Sequence, residues 1–163
     1  MKTKLWLAVS LLAACFYTTA ASAEIVIGAK AGSVDYDVSG SDPGVNGSLQ
    51  LAFDLFDLGV ADIALEGEFS TSLSDGELGG ADVSFESTGL YAALRTAGPV
   101  YLIARAGYAS TEVEFEDGST TDDDGVATGL GVGFSVGLRM EIEHTTYEIE
   151  DTDINYLTLG FAF

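Results

Sequence analysis

The chain has 163 residues, of which 26 are acidic, six are Lys or Arg and one is His, for a formal net charge of −20. Nucleic-acid binding needs clustered Lys and Arg to neutralise phosphates, so this balance excludes nucleic acid as a partner. With one cysteine the chain forms no internal disulfide, and stability has to come from backbone pairing and packing.

Residues 1–23 read as a secretory signal: Lys2 and Lys4 make a basic start, residues 5–17 are an apolar run, and Ala21-Ser22-Ala23 is a small-residue cleavage site. The run is shorter than the roughly 20 apolar residues of a membrane-spanning helix, and no later stretch is continuous enough. If the mature protein crosses a membrane, strands do it. Leu12-Ala13-Ala14-Cys15 also resembles a lipoprotein processing box with Cys15 as the lipidated first residue, but the later site lies where the first strand is about to start. Cleavage there leaves Lys30, Arg95, Arg105 and Arg139 as the only basic side chains against all 26 acidic ones, a net of −22. A domain with four cations has placed each of them somewhere particular.

From residue 25 onward, apolar and polar residues alternate in runs separated by Gly, Asp, Ser and Asn, with little helical periodicity. The eight runs are 25–33, 47–56, 61–69, 85–95, 100–112, 125–136, 138–148 and 154–163. Most approach the 9 to 11 residues of a tilted membrane-crossing strand. In the second run Leu49, Leu51, Phe53 and Leu55 oppose Ser48, Gln50, Ala52 and Asp54. In the sixth, Leu130, Val132, Phe134 and Val136 oppose Gly129, Gly131, Gly133 and Ser135.

Three observations assign the apolar face to the outside. The polar face is rich in glycine, which suits a narrow barrel interior. Lys30, Arg105 and Arg139 fall in phase with that face, as do Glu66, Glu68, Glu141 and Glu143, so a lumen crossed by paired charges is expected. Connections alternate, tight at 57–60, 96–99 and 137 and longer and more acidic at 34–46, 70–84, 114–124 and 149–153. The expected fold is an all-β, eight-stranded, antiparallel up-and-down transmembrane barrel over residues 24–163, with both termini on the periplasmic side.

Ile27-Gly28-Ala29-Lys30-Ala31-Gly32, Ala64-Leu65-Glu66-Gly67-Glu68, the 101–108 segment and Tyr156-Leu157-Thr158-Leu159-Gly160-Phe161-Ala162-Phe163 together resemble the small outer-membrane barrel family typified by the OmpA transmembrane domain and its OmpX-like relatives. The resemblance covers nearly all of the mature chain and implies an outer-membrane location among lipid and lipopolysaccharide. Leu157, Leu159, Phe161 and Phe163 look like the signal read by the barrel assembly machinery. No peptidoglycan-binding domain follows the barrel, so the resemblance implies no cell-wall tether.

Chemistry is sparse. His144, Thr146 and Glu148 share one face of the seventh run and faintly resemble the catalytic strand of the lipid A 3-O-deacylase family, with threonine replacing the family's serine. A barrel-wall histidine near lipid headgroups is the ordinary alternative. Asp122, Asp123 and Asp124, and the acids at 148–153, gather hard oxygen ligands for divalent cations, but neither matches an EF-hand spacing and solvated turns have the same composition. Eight strands leave an interior filled by side chains rather than an aqueous pore. The expectation is a non-enzymatic barrel serving envelope integrity or surface interaction, without a cofactor, with a lipid A modifying enzyme as the alternative.

Overall fold

The computed structural model describes residues 24–36, 38, 40–149 and 152–163. The expected signal sequence, Cys15, and the acidic residues Glu150 and Asp151 lie outside the described residues.

Eight long strands form among the described residues: β1 (Ile25–Tyr36), β2 (Gly44–Asp57), β3 (Ala61–Ser74), β4 (Ala81–Thr96), β5 (Val100–Phe115), β6 (Thr120–Ser135), β7 (Arg139–Ile149) and β8 (Thr152–Ala162). Each pairs antiparallel with its sequence neighbour, and β1 pairs with β8 from Gly28–Ala162 to Tyr36–Ile154, which closes the sheet into a barrel. Reciprocal 3.0 Å backbone hydrogen bonds between Ile27 and Phe163 extend the seam to the last residue. Closure removes the unpaired edge that would be costly in lipid. The end holding Ile25 and Ala162 is called the near end; three tight turns lie there, each with a glycine at positive φ (Gly59, Gly98 and Gly137). The opposite end is the far end.

Burial alternates with period two. Val26, Lys30 and Val34 of β1 are buried, whereas Ile25 and Ile27 are exposed, and Leu49, Leu130, Val132, Ile142 and Leu159 present an apolar outer wall. The inward face relies on small residues. A Cβ at Gly107 would meet the Leu90 carbonyl and come within 2.8 Å of the Tyr91 Cα, so two strand backbones approach there as only glycine allows.

The strands differ from the sequence reading at the far end. They run beyond the expected limits, β3 to Ser74, β4 from Ala81, β5 to Phe115 and β6 from Thr120, and two short segments, Ser41–Asp42 and Gly76–Leu78, pair with each other. The segments expected as long acidic loops are therefore largely strand extensions. Inward apolar positions continue past the polar stretch: Val34, Tyr36, Val83, Phe85 and Ile154 pack with Tyr91, Tyr147 and Tyr156 into one cluster, with Val113 and Phe115 against it. That burial holds strands whose outward Ser, Thr and Asp residues resemble turn composition.

Candidate functional site

The inward positions of five strands meet in the lumen. Lys30 of β1 places its Nζ 3.0 Å from Glu68 and 3.1 Å from Glu143. Arg105 of β5 reaches Glu68 at 2.5 Å, Glu143 at 2.8 Å and Glu66 at 3.9 Å, and donates to Thr145 Oγ1 at 2.7 Å. Its guanidinium lies over the Tyr91 ring, 4.3 Å from the centroid. Arg95 of β4 stands between Glu66, at 2.5 Å, and Glu141, at 2.9 Å, and Glu141 also accepts from the Tyr101 hydroxyl. The fully buried Glu66 carboxylate is held by the charges of Arg95 and, at longer range, Arg105.

Seven side chains, three cations and four carboxylates, thus share one buried cluster in which ion pairs in a low-dielectric interior replace solvation. Of the residues the sequence pointed inward, Lys30, Glu66, Glu68, Arg105, Glu141 and Glu143 come together. Arg139 stays apart: it pairs with Asp54 at 3.0 Å at the near rim, its side chain 22 % exposed. Arg95 was missed, although the alternation of β4 through Tyr91 and Ala93 leads to it; its place at the strand's last turn made it read as a boundary residue. Toward the far end the cluster is covered by tyrosines and polar side chains, with Tyr156 sharing a hydrogen bond with Ser48 (2.9 Å) and Asn46 donating to the Phe85 carbonyl (2.9 Å).

His144 points outward and lies in register with Leu130 on β6 and Leu157 on β8. No acidic residue flanks it in either pairing. Thr146 donates its hydroxyl to Asn155 at 3.1 Å, and Glu148 sits opposite Asp153, one step nearer the far end. Asp122, Asp123 and Asp124 are on the far-end extension of β6, facing Glu112, Thr111 and Ser110 in turn. Among the described residues no three His, Cys, Asp or Glu side chains converge as a metal site would require. Glu112 stands between Glu86 on β4 and Asp122 on β6, and its carboxyl is pushed above its ordinary value, first by a hydrogen bond with Asp122 and then by the charges of Asp122 and Glu86. At the β5–β6 tip, hydrogen bonds from Ser119 hold Asp117 below the usual carboxylate value.

Residues 6–163 match the family model described as outer membrane protein beta-barrel domain. The chain belongs to this outer-membrane β-barrel family. Its place in the cell is accordingly the outer membrane, and its outward apolar belt faces lipid. No curated protein matches it in sequence. Among solved structures it is similar to the N-terminal β-barrel domain of Pseudomonas aeruginosa OprF (13% identity, 87% of this chain and 100% of that one, TM-score 0.60). It is also similar to Ail, the attachment invasion locus protein of Yersinia pestis, in complex with the heparin analogue sucrose octasulfate (17%, 86% and 97%, TM-score 0.58). A third likeness is to the outer membrane enzyme PagL (13%, 85% and 98%, TM-score 0.51). At these identities the likeness is one of fold, and the fold carries both enzymes and other proteins.

Proposed function

We propose that the mature protein, released by cleavage after Ala23, is a non-enzymatic outer-membrane barrel whose far end faces the exterior and serves envelope integrity or surface interaction. The observation that carries this reading is the sorting of charge. All four cations of the mature chain lie in the lumen or at its near rim, so the far end bears acidic side chains and, among the described residues, no Lys or Arg. A lumen filled by ion pairs and tyrosines supports a sealed interior rather than a conducting one. The acidic crown favours cationic partners, or divalent ions that bridge it to lipopolysaccharide phosphates, and disfavours polysulfated ligands such as the one bound to Ail. Leu157, Leu159 and Phe161, exposed along β8, and Phe163 just after it fit the terminal signal read by the assembly machinery.

A lipid A modifying activity remains the alternative because His144 and Thr146 stand two apart on the lipid face. The leucines that flank His144 in register, and the Asn155 bond that occupies Thr146, weigh against it: a nucleophile needs its base, and the base an orienting carboxylate. Mass spectra of lipid A from cells with and without the protein discriminate the two. Identical profiles are expected, and a lost or gained acyl chain dependent on His144 would establish the enzyme.

A further inference from the structure

The outward apolar series does not stop where the strands end. Val60, Val136 and Phe163 have the greatest fractional exposure of all large apolar side chains among the described residues, 76, 71 and 77 %. All three lie at the near end: Val60 in the β2–β3 turn, Val136 in the β6–β7 turn and Phe163 at the β1–β8 seam. Leu58, Val100 and Leu138 are exposed in or beside the turns as well, so every near-end junction carries an apolar side chain. Across residues 57–60, 97–99 and 136–138 the only charge is Asp57, and its carboxylate serves the turn itself by accepting from the Gly59 amide at 2.6 Å.

The height of the wall says what these side chains meet. On β6 the outward series runs Val126, Thr128, Leu130, Val132, Phe134 and then Val136, with Asp124 and Asp122 following at the other edge. At roughly 3.3 Å per residue and a tilt of about 40°, Val126 to Val136 covers about 25 Å of height, the whole apolar band of an outer-membrane barrel. A band that ended at Phe134 would fall about 5 Å short and would have to take in Asp124 instead. The outward series of β5, from Val100 to Tyr108, likewise begins at the first residue after its turn. We propose that the near-end turns are a lipid-contact surface, sunk into the headgroup boundary of the near leaflet rather than standing in water. They continue the lipid-facing belt without a break. Because the junctions lie around the whole circumference, no single face of a folded partner covers them, whereas a membrane boundary is itself a ring. The inference needs only the belt and does not depend on the role of the far end.

The chain's one tryptophan, Trp6, precedes the expected cleavage site, so the mature protein can report through a tryptophan placed at will. Leu58→Trp, Val136→Trp and, as a control in the β5–β6 turn at the far end, Glu116→Trp are each refolded into phosphatidylcholine vesicles. Brominated acyl chains should at least halve the emission of the two near-end variants, and acrylamide equilibrated across the vesicles should leave it almost unchanged. Glu116→Trp should show the opposite pattern. Two turns are probed so that, if one variant lacks the heat-modifiable gel shift of a folded barrel, the other decides. Near-end tryptophans quenched by acrylamide as fully as the control would overturn the proposal, since the turns would then stand in water and be open to a soluble partner. Protection from both quenchers that grows with the protein-to-lipid ratio would overturn it too, because a second copy of the chain would then cover the turns.

Discussion

At the residue scale, each buried cation holds more than one carboxylate, so removing one strands several charges. Losing one partner of a buried pair costs roughly 3 to 5 kcal/mol, against about 0 to 1 kcal/mol for an exposed pair. Arg105→Met should lower the urea midpoint of the refolded barrel far more than Arg139→Met, whose pair with Asp54 is partly solvated. Equal small shifts would place Arg105 outside the cluster. Gly107→Ala should likewise impair folding, because its Cβ would meet backbone and not the end of a flexible side chain; a wild-type midpoint would contradict the close approach of β4 and β5. Much of this cluster can be read by counting alternate positions, which carries Lys30, Arg105 and the four glutamates inward. The same count reaches Arg95, but Thr96, Gly98 and Pro99 follow it so closely that it looks like part of a turn. Arg139 shares the inward phase yet opens its strand, and depth along the barrel axis is a quantity that phase alone does not contain.

At the element scale, β8 seals the barrel through its pairing with β1 and the Ile27–Phe163 backbone bonds. A chain without residues 161–163 should accumulate as a degraded periplasmic species lacking a heat-modifiable gel shift, and normal outer-membrane levels would count against the seam. Cysteines at Leu49, Leu130 and Leu159 should react with a membrane-dissolved probe, whereas those at Gln50, Ala52 and Gly160 should not; the reverse pattern would turn the barrel inside out. The β5–β6 hairpin carries a pH dependence whose sign follows from Glu112. Its folded carboxyl is raised by Asp122 and Glu86, so the folded hairpin binds more protons than the unfolded one, and stability increases as pH falls toward the ordinary carboxylate value. The protection factor of amides near the Val113–Thr121 pair, taken relative to the intrinsic exchange rate at each pH, should rise on mild acidification and lose that rise in Glu112→Gln; an unchanged rise would exclude Glu112 as its source.

At the scale of the whole molecule, the eight-stranded plan, the strand phase and the near-end turns are legible because lipid outside and a narrow lumen inside impose a period of two that no helix shares. The far end is less so. Thr120 to Asp124 reads as a solvated turn, and what makes it strand is its pairing with β5, whose Val113 and Phe115 pack on the cluster that holds Val83 and Phe85, residues distant from it in sequence. The same distribution gives the protein its polarity: cations within, an apolar belt around, and acidic side chains at one end. Lys30 offers the most direct check, since it is the sole lysine after residue 23 and its side chain is 2 % exposed. Refolded barrel treated with an amine-reactive reagent and mapped by mass spectrometry should show a modified α-amino group and an unmodified Lys30, with Lys30 reacting fully once urea unfolds the chain. Modification of Lys30 in the folded barrel at the rate of the α-amino group would contradict the inward placement of the cations.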